Sequence, residues 1–210
     1  MLQDMILAGS DTSTMTIEWA ISELLKNPGA LAKATEELDR VVGRERLVTE
    51  RDFPQLPYME AVLKETLRLH PAAPLLAPHL AREDTSVDGY DIPAGTTVFV
   101  NVWSIGRDPA LWEAPEEFRP ARFIGCEVDV KGQDFELLPF GSGRRMCPGF
   151  NYGLASMELA LVGMLYHFDW SLPEGVEEVD MEEAPGLGVR RRSPLMLCAT
   201  PFVPVAVSTE

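Results

Sequence analysis

Apolar residues recur at helical spacing along four stretches of the chain, with polar residues between them. This pattern predicts helices over residues 2–26, 28–43, 58–70 and 150–168. Asn27 and Pro28 fit the N-cap and first turn of the second helix, and Gly43 fits its end. The first helix has a weak centre, because its segment AGSDTST combines a glycine with hydroxyl side chains that compete for backbone hydrogen bonds.

The pattern changes between the third and fourth predicted helices. TSVDGYDI places an Asp-Gly pair between two short runs, which predicts a β-hairpin. GTTVFVNVW, residues 95–103, and SPLMLCAT, residues 193–200, predict strands. Asp108 and Pro109 predict the start of a short helix, and the proline-rich residues 113–149 predict loops. The predicted fold class is therefore mainly α with minor β.

The composition is that of a globular protein. Hydrophobic residues make up 46% of the 210 residues, enough for a sizeable core and one or two domains. The formal net charge of -15 argues against non-specific binding of nucleic acid, which depends on cations that face phosphates. No segment approaches the roughly 20 apolar residues of a spanning helix, and the N-terminus lacks the features of a signal peptide. The sequence as written predicts no membrane anchor.

The three cysteines, Cys126, Cys147 and Cys198, lie far apart and form no C-x-x-C pair. Neither a disulfide framework nor a zinc knuckle fits this spacing, and unpaired thiols are typical of a reducing compartment. Cys147 differs from the other two because it lies in LPFGSGRRMCPGF, a loop of glycine, proline and two adjacent arginines that leads directly into the fourth helix.

The surroundings of Cys147 favour a thiolate. Backbone amides and the dipole of the following helix stabilise an anion there, and Arg144 and Arg145 add positive charge. Three roles remain open, a buried hydrophobe, a nucleophile and a metal ligand. A nucleophile needs a histidine base, and no histidine has a sequence arrangement for that role. A haem-iron thiolate needs one protein ligand and nearby cations for the propionates, so a metal ligand is favoured.

The spacing around the cysteine is FxxGxRxCxG, formed by Phe140, Gly143, Arg145, Cys147 and Gly149. It resembles the haem-binding motif of cytochromes P-450, and three further motifs occur in the order of that family. AGSDTS (residues 8–13) resembles its oxygen-activation stretch, and ETLR (65–68) resembles its ExxR helix. FRPARF (118–123) resembles its PERF segment, with Ala121 where the family usually has glutamate. The resemblance covers essentially the whole chain and is similar in style to plant A-type enzymes.

The resemblance implies the C-terminal part of the P-450 fold, with Cys147 as the axial ligand of the iron of haem b. The other four residues of the motif would shape the loop that binds this cofactor. His79 matches a position where related enzymes carry a basic residue near a haem propionate, with a structural histidine as the alternative. His70 and His167 are expected to be structural.

Two further sets of residues gain roles from the resemblance. It assigns Asp11 and Thr12 to proton delivery during oxygen activation, where the plain alternative is a helix kink with polar groups in solvent. It also implies that Glu65, Arg68 and Arg122 form a buried triad that locks the cysteine loop. An arbitrary E-x-x-R pair is usually a surface ion pair of little energetic value.

Six residues align with substrate-recognition segments of the family, so they are expected to line the pocket: Ala8, Leu75, Leu76, Ala77, Leu187 and Gly188. Ordinary loop packing is the alternative for them. The run Arg190-Arg191-Arg192 is expected to be a solvated face, with contact to an acidic redox partner as the alternative.

The resemblance implies a haem-dependent monooxygenase. Such an enzyme inserts one oxygen atom of O2 into a small apolar plant specialised metabolite, a terpenoid or a phenolic, with electrons from NADPH through cytochrome P-450 reductase. The full-length relative is expected on the cytosolic face of the endoplasmic reticulum membrane, whereas a chain without an anchor would be cytosolic.

Members of the family are more than twice as long as this chain. Residues 1–210 are therefore expected to be the C-terminal portion of a single P-450 domain, with the N-terminal half and the membrane anchor absent. The alternative is a truncated, non-catalytic fragment that binds haem weakly or not at all. A stand-alone binding module is disfavoured, because such a module has no use for intact catalytic motifs.

Overall fold

The computed structural model describes residues 2–43, 46–184 and 186–202, with the backbone alone for residues 2–5 and 7. The α-helices of these residues are α1 (Leu2–Lys26), α2 (Pro28–Val41), α3 (Pro57–Leu69), α4 (Val102–Ile105) and α5 (Phe150–His167). The strands are β1 (His79–Leu80), β2 (Thr85–Val87), β3 (Tyr90–Ile92), β4 (Thr97–Val98), β5 (Phe168–Ser171), β6 (Glu183–Ala184), β7 (Arg190–Arg191) and β8 (Cys198–Pro201). The prediction of a mainly α chain with minor β is confirmed.

The main core lies among the four long helices. Ala20 and Leu24 of α1 are fully buried against Leu161 of α5 and Val62 of α3. Full burial of an aliphatic side chain of this size contributes roughly 1.5–3 kcal/mol. A second cluster joins α3 to the loop that precedes α5 and includes Trp112, so this cluster supports that loop.

α1 remains helical through its weak centre because its hydroxyl groups bond within the helix. Five side chains each donate to the carbonyl four residues earlier, at 2.6 to 3.0 Å: Ser10, Thr12, Ser13, Thr14 and Thr16. The C-terminal half of α1 is then held by burial, with Trp19 1% exposed. Tertiary burial outweighs the low intrinsic propensity of the centre.

The strands pair as four antiparallel two-stranded sheets, β1 with β4, β2 with β3, β5 with β8 and β6 with β7. The predicted hairpin is β2–β3, whose turn residues Asp88 and Gly89 have φ angles of 51° and 83°. Positive φ at both central positions suits an Asp-Gly turn. The predicted strand at 193–200 is shorter, begins at Cys198 and pairs with β5.

Two predictions between residues 95 and 112 are wrong. The expected strand over 95–103 is confined to β4, because its partner β1 offers only two residues for pairing. The chain then turns into α4, where the Asn101 side chain accepts from the Ser104 N–H at 3.0 Å and caps the helix. After Asp108 there is a single turn rather than a helix, with the Asp108 carbonyl accepting from the N–H of Trp112 at 2.9 Å.

Two side chains also differ from expectation. Asn27 precedes α2, yet its amide donates back to the Glu23 carbonyl at 2.8 Å instead of capping α2. In the arginine run, Arg191 is 8% exposed and packs over the Trp19 ring, so this position is not a solvated face. Strand pairing forces alternate residues to opposite sides, which buries the middle arginine. None of the helices in the described ranges has both the length and the apolar character to cross a bilayer.

Candidate active site

The loop that presents Cys147 is closed by its own backbone. The Cys147 N–H donates to the Phe140 carbonyl at 2.9 Å. Gly141 and Gly143 have φ angles of 73° and 67°, a region that favours glycine. A Cβ placed on Gly149 would meet the Cys147 Sγ at 4.0 Å and no other described atom within 4 Å. The thiol is therefore exposed beside open space, just ahead of the N-terminus of α5.

Cationic side chains flank this thiol. Arg144 and Arg145 are exposed, and neither forms an ion pair with the residues that the structure describes. His79 is exposed in β1, opposite Val98 of β4, and no hydrogen bond or ion pair of the described residues joins it to the cysteine loop. The arginines are thus available to an anionic group near the sulfur, whereas the place of His79 in the site stays a prediction.

Glu65, Arg68 and Arg122 meet in one buried cluster. Glu65 Oε2 accepts from Arg68 Nε at 2.8 Å, and Glu65 Oε1 accepts from Arg68 Nη2 at 2.9 Å and from Arg122 Nε at 3.0 Å. The side chains of Glu65 and Arg68 are both 0% exposed. The surface ion pair that is usual for an E-x-x-R spacing is therefore not what forms here.

The same cluster fixes the backbone of the segment that follows α4. The Arg119 N–H donates to Glu65 Oε1 at 2.7 Å, and Arg68 donates to the carbonyls of Gly106, Pro115 and Glu117. No sequence motif marks these main-chain partners, so they were not predicted. Because buried polar groups need partners, the network determines how this segment lies over α3.

Asp11 and Thr12 lie on α1 but have different partners. The Thr12 hydroxyl donates to the Ala8 carbonyl at 2.6 Å, which leaves its oxygen free to accept. Asp11 Oδ2 forms an ion pair with Arg190 Nη2 of β7 at 2.8 Å. Arg190 was not predicted as a site residue, since nothing in the sequence links positions 179 residues apart.

Each of the two predicted substrate segments lies beside another part of the predicted site. The Leu76 side chain lies near Gly141 of the cysteine loop, where a Cβ would meet Leu76 Cδ1 at 3.5 Å. Gly188 lies against Met15 of α1, since a Cβ there would approach Met15 Cε to 3.0 Å. Leu187 is fully exposed. Leu76 therefore lies beside the cysteine loop and Gly188 beside α1, while Leu75, Ala77 and Ala8 are exposed.

His70 is buried in a different cluster, as expected of a structural residue. Its ring stacks on Trp19 at 4.1 Å, and its Nε2 lies 2.8 Å from Glu23 Oε1. Its Nδ1 lies 3.7 Å from Glu183 Oε1. The His70 ring lowers the pKa of Glu183, and burial only partly opposes this lowering. An adjacent cavity of about 260 Å³ is also lined by Arg107, and no predicted site residue lines it.

Comparison with known proteins identifies the family. The family model described as Cytochrome P-450 matches residues 1–199. A maize protein named dimethylnonatriene synthase is 55% identical over 98% of this chain, and a flavonoid 3'-monooxygenase from Crocosmia x crocosmiiflora is 51% identical over 96%. The chain spans 40% and 41% of the lengths of these two relatives.

The fold gives the same assignment. A zebrafish cytochrome P-450 solved with abiraterone superposes with a TM-score of 0.83 and 36% sequence identity, over 95% of this chain and 46% of that one. The match therefore extends through both the helical core and the loop that carries the exposed thiol. Because the sequence and the structure give the same assignment, we conclude that this chain belongs to the cytochrome P-450 family.

Proposed function

We propose that this chain carries the haem-thiolate centre of a monooxygenase that inserts one oxygen atom of O2 into a small apolar plant metabolite. The observation that supports this most directly is the exposed thiol of Cys147, held in a closed loop at the head of α5. A terpenoid or phenolic substrate is supported by the names of the relatives, among them a flavonoid monooxygenase and dimethylnonatriene synthase.

The residues around Cys147 fit a haem. The Cys147 thiol is exposed, and Arg145 offers an unpaired cation, within the described residues, for a propionate. Cys147 would hold the iron, with His79 as a second propionate partner. When bound, a thiolate-ligated haem supplies the oxygen chemistry, since thiolate donation favours O–O cleavage.

Other residues of the chain are assigned to proton transfer and to the substrate pocket. The Thr12 oxygen accepts a hydrogen bond from a proton donor, while its own hydroxyl donates to the Ala8 carbonyl. The Asp11 carboxylate, whose Oδ2 accepts from Arg190, exchanges protons with water through its other oxygen at the exposed face of α1. Leu76 would line the substrate pocket beside the cysteine loop, and Gly188 would line it beside α1.

The remaining features of the proposal follow the family. The 210 residues would be the C-terminal portion of one P-450 domain. Its electrons would come from NADPH through cytochrome P-450 reductase. The whole protein would work at the endoplasmic reticulum membrane. The free thiols of the described residues, Cys126, Cys147 and Cys198, are compatible with the reducing cytosolic side of that membrane.

The test is transfer of oxygen from labelled O2. The chain is expressed with ample haem and combined with the reductase, NADPH and two probes, the terpene alcohol geraniol and the flavonoid naringenin. We expect a product that carries one labelled oxygen atom, and we expect Cys147→Ser to abolish it. Cys126→Ser changes an equally exposed thiol and is expected to retain activity. Unlabelled product, or equal activity in Cys147→Ser, would contradict the proposal.

A further inference from the structure

The β6–β7 hairpin is held against α1 at two points that lie one residue apart. The Val189 carbonyl accepts from Trp19 Nε1 at 2.9 Å, and the Val189 N–H donates to the Ala72 carbonyl at 3.2 Å. Arg191 Nη1 donates to Ser22 Oγ at 2.8 Å. Val189 and Arg191 are 7% and 8% exposed, so these anchors are shielded from water. The residue between them therefore has a fixed backbone.

That residue is Arg190, which lies on the opposite side of the strand and is exposed. Its Nη2 lies 2.8 Å from Asp11 Oδ2, and the side chains of the pair are 62% and 53% exposed. An ion pair so exposed contributes about 0–1 kcal/mol to stability. Its main consequence is therefore local, because it favours one direction of a carboxylate that is otherwise free to rotate.

We propose that Arg190 is a positioning residue for Asp11. It holds the Asp11 carboxylate in place on α1 while Thr12, the next residue, keeps its hydroxyl on the helix backbone. The inference rests on the proposed function, in which Asp11 exchanges protons with water. It adds a coupling between two parts of the site, because the hairpin that carries Arg190 also carries the predicted substrate residue Gly188.

The chain contains a matched control for Arg190. Arg192 follows two positions later and forms an ion pair with Glu182, with side chains 59% and 63% exposed. The two ion pairs have similar exposure, and both arginines belong to the same hairpin segment. The Arg192 pair, however, does not involve α1. Arg192→Gln therefore reports the general effect of removing an arginine from this segment.

The pairing is tested first without cofactor. In the chain labelled with ¹⁵N-arginine, Asp11→Asn is expected to shift the guanidinium resonances of Arg190 and to leave those of Arg192 in place. Resonances of Arg190 that do not respond to Asp11→Asn would overturn the pairing. This measurement needs neither haem nor substrate.

The positioning role is tested in the haem-loaded chain by the product formed per NADPH consumed, with geraniol as probe. Proton transfer by a positioned side chain raises the rate of a reaction by roughly 10²- to 10⁴-fold. Loss of the orientation of that side chain removes part of this increase. We expect Arg190→Gln to lower this ratio about two- to fivefold, because so exposed a pair is weak, and to raise the solvent deuterium isotope effect. We expect Arg190→Lys to restore most of it, and Arg192→Gln to match the parent chain.

Three results would contradict the inference and are distinguishable from one another. If Asp11→Asn lowers the ratio and Arg190→Gln does not, the positioning role fails while the proposed function stands. If Asp11→Asn itself has no effect, the proton-exchange role of Asp11 fails, and the inference fails with it. A loss of haem in Arg190→Gln that Arg192→Gln does not share would also contradict a role confined to positioning.

Discussion

Removing Glu65 is the perturbation with the largest predicted effect on the chain. Its two oxygens accept from Arg68, Arg122 and the N–H of Arg119, and both Glu65 and Arg68 have side chains that are 0% exposed. Glu65→Ala leaves the guanidinium of Arg68 buried without its counter-charge. Breaking a buried ion pair by removing one partner costs about 3–5 kcal/mol.

This cost is measurable as a thermal shift. In a chain of this size, each kcal/mol lowers the unfolding midpoint by about 2–4 °C, so Glu65→Ala is expected to unfold about 6–20 °C below the parent. The affected segment packs with the second cluster, to which Phe123 and Phe140 belong. We therefore also expect Glu65→Ala to lose haem incorporation, read as absence of the Soret band.

Glu60→Ala is the control on the same helix. Glu60 is 57% exposed and pairs with Lys64 at 2.9 Å, so its removal is expected to cost about 0–1 kcal/mol. The reasoning would be refuted if Glu65→Ala unfolded within a few degrees of Glu60→Ala and kept an intact haem spectrum. That result would mean that the buried network neither stabilises the chain nor supports the cysteine loop.

Three further predictions concern pH, packing and protons. Burial raises the pKa of Glu158 from 4.5 to about 7. Between these two pH values the folded chain binds more protons than the unfolded chain, so the folded chain loses stability as the pH rises from 4.5 to 7. Glu158→Gln is expected to raise the free energy of unfolding by about 1 kcal/mol at pH 8, a value discounted for partial exposure, and to leave it unchanged at pH 4. Urea unfolding at the two pH values measures this, and equal gains at both would contradict the prediction. Gly106→Ala places a Cβ against the Arg68 carbonyl and is expected to cost about 1–3 kcal/mol in thermal unfolding, whereas Gly163→Ala meets open space and should cost nothing. Thr12→Ala is expected to keep haem but to release more hydrogen peroxide per NADPH, and unchanged peroxide release would contradict its role.

The long helices were predictable from the sequence because their burial follows a 3.6-residue period. α3 and α5 carry apolar residues on the faces that meet in the core, such as Val62 and Leu161, and Pro57 begins α3. The grouping of Glu65 with Arg68 and Arg122 followed from motif resemblance, since no local pattern joins residues 57 positions apart.

The short strands and the long-range pairs were not predictable in the same way. β6 and β7 have two residues each, too few to show alternation, and their position depends on the anchor from Trp19 to Val189. Arg191 belongs to a run of three arginines, a pattern that predicts exposure to solvent. Strand pairing instead directs its side chain toward the Trp19 ring. The strand expected at 95–103 failed because partner length, rather than β propensity, set its extent.

The most direct test of this account is the reduced carbon-monoxide difference spectrum of the chain expressed with ample haem. A Cys147 thiolate on the iron predicts a strongly red-shifted Soret band, retained in Cys126→Ser and lost in Cys147→Ser. A Soret band at the shorter wavelength that marks lost thiolate ligation, or no haem in the parent chain, would contradict the claim that Cys147 is the iron ligand of this chain.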